Sequence, residues 1–448
     1  MWGGHPPTHP TRPPWDKEIR PWPPLMALEL SGLLRCSVAL VALLLLAACG
    51  GESGLSGPND DGGGSTLRPG LTVTVTVEPE ASSIAQALGW TGGVPNAEVR
   101  IHRIGTDFAW ETVLTDGSGT ARFPNAIAGQ YRVAGYRPLT DAEVAQADGS
   151  TRALGDGVIM NVARSTEATL RLNPTQGGSL VISEVYGTAP FSSEINYDFH
   201  MYIEIYNNSD QTVFLDGMVL GTNIGVPNFD DGAGACEFTA AWRTDPRGLW
   251  AAAFHQFPGS GGQHPLGPGQ IAVIARDAVD HSDIDIRFPD MSNADFEFLG
   301  PSDVDNPDVQ NMPEAGVFIW PDGHGLRFFV AHNFFLADRL EVNSLERGVM
   351  QLPGVDVDLV LFPNELLLDV MSTEDNDALQ EQRSPPCGPA VPIALDRLSG
   401  GFIKHGVDLE FSVQRLVIGT VNGRDILQDT NTSAVDLVRA LFTPGHLP

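Results

Sequence analysis

The sequence predicts an all-β protein, on three observations. Residues 71 to 77 read LTVTVTV, a strict alternation of apolar and polar positions that marks a half-buried strand. Residues 202 to 206, YIEIY, alternate in the same way. The 49 glycines and 34 prolines among 448 residues supply many turns and few long helices. At 42% hydrophobic the chain is apolar enough to bury a core, and its length after residue 70 suits two domains. Two β-sandwich domains are therefore expected.

The amino end comes first. Residues 1–25 are rich in Pro and Trp and precede a second methionine, Met26, the expected true start. The apolar run from Cys36 to Ala48 follows a lone Arg35 and has 13 residues. A helix of that length, at about 1.5 Å per residue, cannot cross roughly 30 Å of hydrocarbon, so the run reads as the apolar part of an export signal. Residues 1–48 are assigned to that signal. Leu46-Ala47-Ala48-Cys49 resembles the lipobox of bacterial lipoproteins, and the resemblance implies that Cys49 carries lipid and becomes the new amino terminus. Acyl chains, at about 0.8 kcal/mol per buried methylene, would hold the protein on a membrane with no spanning segment. An ordinary signal with a chance cysteine is the alternative. Gly50 follows the cysteine in place of the aspartate associated with inner-membrane retention, which favours the outer membrane. Residues 49–70 are Gly/Ser-rich and read as a flexible tether.

The first domain is expected over 71–174. After LTVTVTV come AEVRIHRI (97–104), WETVLTD (110–116), TARFPN (120–125), GQYRVAGYRP (129–138) and VIMNVARSTEATLRL (158–172), about seven strands, with a glycine turn at 116–119. Alternation places Val99, Ile101, Phe123, Tyr131 and Val133 inward. The succession GGVPNAEVRI, LTDGSGTARF, AGQYRVAG resembles the carboxypeptidase-regulatory, transthyretin-like (prealbumin-like) β-sandwich, which implies a spacer or binding module without catalytic residues.

The second domain is expected over 178–448. SLVISEVYGTAP (179–190), MYIEIYNNSDQTVFLDGMVLG (201–221), LGPGQIAVIAR (266–276) and the closing SVQRLVIG, LQDTNTSAVDL and TPG resemble the lamin-tail family, and within it a branch of unknown function found in bacterial lipoproteins. The resemblance implies an immunoglobulin-like sandwich. From the residues themselves, YIEIY, a turn at 207–210 and a returning TVFLDGMVL form a hairpin. Because such a core needs little more than 100 residues, insertions near 222–265 and 278–315 are expected outside the sandwich.

Charge limits the function. With 26 Lys+Arg against 56 Asp+Glu, net −30, the surface repels nucleic acid phosphates, and no nucleic acid partner is expected. Lys404 is the one lysine after the export signal, so Schiff-base chemistry or a Lys-Asn cross-link has a single candidate. The chain has no G-x-S-x-G, H-E-x-x-H or G-x-x-x-x-G-K-[ST] motif.

Five groups of residues are candidates for chemistry or cross-linking. Glu184 and Glu204 occupy the acidic positions of ISE and IEI; paired carboxylates are the tools of glycosidases, but in strands a glutamate more commonly accepts backbone or hydroxyl hydrogen bonds. His255 and His264 flank FPGSGGQ and would need to converge to bind a metal. Trp242, Trp250, Phe254 and Phe257 form either a binding patch or packing between insertion and sandwich. Cys236 and Cys387 remain once Cys36 is removed and Cys49 lipidated, and in an oxidising compartment a disulfide between them is expected. Asp303, Asp305, Asn311 and Glu314 stand at positions 1, 3, 9 and 12 of a twelve-residue stretch, as the oxygen ligands of a calcium loop do. Pro307 and Asp308 break that pattern at its fifth and sixth positions, and a solvated acidic loop is the alternative. No other cofactor is expected.

Two functional readings follow. The favoured one is a non-enzymatic envelope lipoprotein that binds a protein or glycan partner through loops on a rigid scaffold, including as an accessory to an outer-membrane receptor. The other is an extracellular hydrolase of unrecognised type acting on polymer.

Overall fold

The computed structural model describes residues 70–447 except 79–80, 105–110, 164, 175–179, 188–196, 224–234, 299–304, 314, 317–332, 353–354, 376–390 and 404–408. The protein is all-β and sandwich-like. From Thr66 onward the chain forms one compact unit. Among the described residues no helix is long and apolar enough to cross a membrane.

Seven strands come first: β1 (Leu71–Val77), β2 (Glu98–Arg103), β3 (Glu111–Leu114), β4 (Thr120–Phe123), β5 (Gly129–Pro138), β6 (Ala153–Val162) and β7 (Thr166–Pro174), in the order β3-β2-β5-β6-β7-β1-β4. β1 runs parallel to β7 and antiparallel to β4. β6 and β7 share only two residue pairs, so the sheet folds over there. Val73, Phe123 and Leu172 of one half then meet Val99, Ile101, Tyr131 and Val133 of the other in a single core. All five positions that alternation placed inward are buried. Two short helices join the strands, α1 (Ser82–Ala87) and α2 (Asp141–Gln146). Thr140 and Glu143 close the start of α2 with a capping box, a Thr-x-x-Glu signature that is visible in the sequence.

The remaining strands are β8 (Leu180–Tyr186), β9 (Tyr202–Asn207), β10 (Val213–Phe214), β11 (Val219–Thr222), β12 (Gly248–Ala251), β13 (Ala253–Gln256), β14 (Pro265–Leu266), β15 (Ile271–Ala275), β16 (Phe296–Phe298) and β17 (Gln310–Met312). They continue with β18 (Asn333–Ala337), β19 (Arg347–Leu352), β20 (Val355–Pro363), β21 (Leu367–Asp375), β22 (Gly400–Ile403), β23 (Phe411–Arg415), β24 (Val417–Val421), β25 (Arg424–Leu427) and β26 (Leu437–Leu441). Helix α3 spans Ala235–Arg243, and α4 spans Ser433–Asp436. A seven-stranded sheet, β17-β16-β15-β9-β8-β23-β26, faces a five-stranded one, β13-β11-β18-β21-β22, and a three-stranded sheet β12-β20-β19 packs beyond. Ile182, Ile203, Ile205 and Ile274 of the first meet Leu220, Phe334, Leu336 and Met371 of the second across the core. Each such side chain contributes about 1.5–3 kcal/mol by leaving water.

Two expectations are corrected here. TVFLDGMVL is not the return strand of a hairpin with YIEIY: β9 pairs with β8 and β15, whereas β10 pairs with β14 and β11 with β13 and β18. The break is at Asp216-Gly217. Gly217 has φ +76°, and the Asp216 carboxylate accepts the backbone N–H groups of Gly261, Gln263 and His264, so the chain turns there and crosses to the facing sheet. Nor do the insertions lie wholly outside the sandwich. β13 hydrogen-bonds to β11, β16 and β17 extend the seven-stranded sheet, and Phe257 and Phe298 are in the main core.

Candidate functional site

The acid pair that the sequence singles out, Glu184 with Glu204, is brought together. The two residues are direct cross-strand partners on β8 and β9, where Cβ atoms lie about 4.5–5.5 Å apart. A bulge makes this possible. The register shifts between Ile182 and Glu184, so that Ile182 and Val185 both point into the core while Glu184 turns to the opposite face. Glu204 reaches that face by plain alternation between Ile203 and Ile205.

That face is covered. Residues after β26 cross it, and the Thr443 N–H and hydroxyl each donate to Glu184 at 3.1 Å. Gly445 N–H donates to Glu204 Oε1 at 2.6 Å, and the Tyr202 hydroxyl to Glu184 Oε1 at 2.5 Å. Glu184 is 2% exposed and Glu204 is fully buried. Among the described residues Glu204 Oε2 accepts no hydrogen bond, and the nearby Ser183 side chain favours the charged form only weakly against burial. Burial raises both carboxyls, opposed at Glu184 by its hydrogen bonds and reinforced at Glu204 by the neighbouring Glu184 charge. Two carboxyls paired across the strands in so dry a place favour one neutral carboxyl over two charges. The arrangement clamps the carboxy-terminal segment onto the sheet through accepted backbone and hydroxyl hydrogen bonds, and it leaves no opening between the acids for a glycosidic bond.

The other candidates separate. His255 is buried, with Nδ1 3.0 Å from the Met312 carbonyl and its ring against Phe298, and desolvation lowers its pKa to about 4. His264 instead sits edge-on to Phe296. Trp250, Phe254 and Phe257 are buried, and Trp242 packs edge-to-face on Trp250 at 4.8 Å, so these aromatics hold the insertion in place. Cys236 is disulfide-bonded; Cys387 lies outside the described residues, as do Cys49, Asp303 and Glu314. Asp305 and Asn311 are neighbours, the Asn311 amide donating to Asp305 at 2.6 Å. Among the described residues no group of three or more His, Cys, Asp or Glu is arranged to hold a metal ion.

No family model matches the chain, and no curated protein matches it. Two solved structures are similar to it. A DUF4876 family protein from Bacteroides thetaiotaomicron aligns with TM-score 0.48 and 16% identity over 85% of this chain and 98% of that one. A DUF3823 family protein from Bacteroides uniformis aligns with TM-score 0.14 and 12% identity over 36% of this chain and 68% of that one.

Two features were not anticipated from the sequence. Arg415, 2% exposed, donates to Asp369, to the carbonyls of Ile182 and Gln428, and to Asp429. Asp436 lies 3.5 Å from the same guanidinium. The second is a pocket of about 650 Å³ between the β24–β25 turn and the end of β9. Neither has a local signature, because their parts lie far apart along the chain.

Proposed function

We propose that this is a lipid-anchored protein of the cell envelope, held on the outer membrane through Cys49, which presents β-sandwich modules to a protein or glycan partner and catalyses no reaction. The observation that carries the reading is the sealing of Glu184 and Glu204: the best-placed acid pair is spent on clamping the carboxy-terminal segment, which leaves recognition to exposed loops and turns on a rigid scaffold. The net charge of −30 disfavours polyanionic partners, and the lipobox-like Leu46–Cys49 supplies the anchor.

The test has two arms. Metabolic labelling with a fatty-acid analogue marks the wild type and not Cys49→Ser, and the variant leaves the membrane fraction; labelling that survives the substitution removes the anchor. Cross-linking on intact cells captures a discrete protein or glycan partner. Turnover of a polymer substrate that is lost in Glu184→Gln/Glu204→Gln would replace the binding reading with the hydrolase.

A further inference from the structure

We propose that the pocket between the β24–β25 turn and the β9–β10 turn is a saccharide-binding site for a neutral glycan. The inference rests on the binding reading above and names the ligand class and the place.

The walls are rigid. Asn422 and Gly423 have φ of +54° and +79°, the pair of left-handed residues that closes a two-residue hairpin whose twist matches its strands. Behind that turn, Asn208 donates to the Leu427 carbonyl at 2.9 Å and accepts the Leu427 N–H at 3.0 Å. The Tyr206 hydroxyl donates to the Asp425 carbonyl at 2.6 Å. Arg424 donates to the Asn208 carbonyl, and its side chain lies over Gly269, where a Cβ would come within 2.9 Å of Arg424 Cγ. Three segments remote in sequence are thus fixed around one cavity before any ligand arrives, which spares the ordering cost of binding.

The lining selects the ligand. Asp210 and Asp425 offer acceptors, Arg424 and Asn422 offer donors, and Pro268 and Leu447 add apolar surface. A pyranose ring has the matching division, with hydroxyls that both donate and accept around its rim and C–H groups on its faces. Two carboxylates against one guanidinium, on a chain of net charge −30, repel an anionic sugar. A purely apolar ligand would take water from the carboxylates of Asp210 and Asp425 and the Asn422 amide without replacing it. At about 650 Å³ the cavity is within the usual range for small-ligand sites and takes two or three sugar units.

The experiment is calorimetric titration of the full exported chain with maltohexaose, cellohexaose, xylohexaose and mannohexaose, with hexagalacturonate as the anionic comparator. At least one neutral hexasaccharide binds the wild type and hexagalacturonate does not. In Asp210→Ala/Asp425→Ala the Kd for that sugar rises about tenfold or more, as the loss of charged hydrogen bonds requires, with no change in melting temperature. Binding that is equal in the double variant overturns the pocket while leaving glycan binding in place. Failure of every neutral hexasaccharide, or binding of hexagalacturonate alone, overturns the saccharide assignment; partner capture on cells then decides the binding reading separately.

Discussion

Arg415 Nη2 lies 2.6 and 2.7 Å from the two carboxylate oxygens of Asp369, and the two side chains are 2% and 1% exposed. Asp369 also accepts the Ile182 N–H at 2.7 Å while Arg415 donates to the Ile182 carbonyl at 2.9 Å, so the pair ties β21 of one sheet to β8 and β23 of the other. Breaking such a pair from one side strands a charge. Arg415→Met leaves Asp369, Asp429 and Asp436 buried around a missing cation, and a loss of about 3–5 kcal/mol is expected. Urea denaturation measures it. A double variant, Arg415→Met/Asp369→Leu, recovers part of that loss; a double variant no more stable than Arg415→Met would show that the pair itself matters little.

Acidification should stabilise the protein, contrary to the common case. Desolvation raises Asp429 to about 7 and Asp436 to about 6, against the pull of Arg415. Between the unfolded carboxylate pKa near 4 and those values the native state binds more protons than the unfolded one, so stability falls as pH rises through that window. Burial raises Asp396, Glu184 and Glu204 in the same sense. His255 and His281, lowered by burial, oppose it below pH 6.5. Melting temperature is expected to be higher at pH 5.5 than at pH 8, and Asp429→Asn/Asp436→Asn to flatten the difference. A higher value at pH 8 in the wild type would contradict the assignment.

Alternation was enough to place the core of the first seven strands, because each face there has one environment: Val99, Ile101, Tyr131 and Val133 keep strict parity. Parity fails at β8. One extra residue at Ser183 moves Glu184 to the opposite face, and no local preference announces a bulge. The Asp216-Gly217 turn was equally hard to read, since the N–H groups that fix it come from residues 261–264. The start of α2 carries a local capping signature, Thr140-Asp141-Ala142-Glu143, which the strand-by-strand reading of the sequence passed over. Arg415 sits in a strand with ordinary neighbours, and its acidic partners arrive from as far as 46 positions away.

The acid pair gives a prediction that separates clamp from catalyst. Glu204→Gln keeps the acceptor for Gly445 N–H and removes a carboxyl already driven toward its neutral form, so stability should be unchanged or slightly higher. Glu184→Ala strands the Tyr202 hydroxyl and the Thr443 N–H and should cost about 1–3 kcal/mol. Limited proteolysis after residue 441 should accelerate only in the second variant. Equal destabilisation by both would mean that the two acids are not distinguished as described.

Calcium should leave the melting temperature unchanged. Asn306 already anchors the acidic stretch, its N–H donating to Glu297 at 3.1 Å and its amide to the Ala278 carbonyl at 2.8 Å. The Asn311 amide meets Asp305 at 2.6 Å, a contact that a cation bound there would displace. A ligand at a hundredfold excess over its Kd stabilises by about 2.7 kcal/mol. A rise at millimolar calcium, absent from Asp303→Ala/Asp305→Ala, would establish the metal loop that the spacing of carboxylates suggests.

The last prediction concerns Cys236, which is disulfide-bonded at the second residue of α3. Cys387 is its expected partner, since Cys36 leaves with the export signal and Cys49 is the expected lipid site. A loop of about 150 residues is closed, for which chain entropy gives a ceiling of roughly 5 kcal/mol. Helix α3 packs Trp242 onto Trp250 of β12, so releasing the bond should loosen that packing before the main core. Alkylation of the exported chain without reductant should add no mass, and peptide mapping should recover 236 linked to 387. Reduction should lower the melting temperature by several degrees and quench or shift tryptophan fluorescence first. Free thiols at both positions in freshly exported protein would refute the bridge; linkage of Cys236 to Cys49 would also remove the site on which the lipid anchor depends.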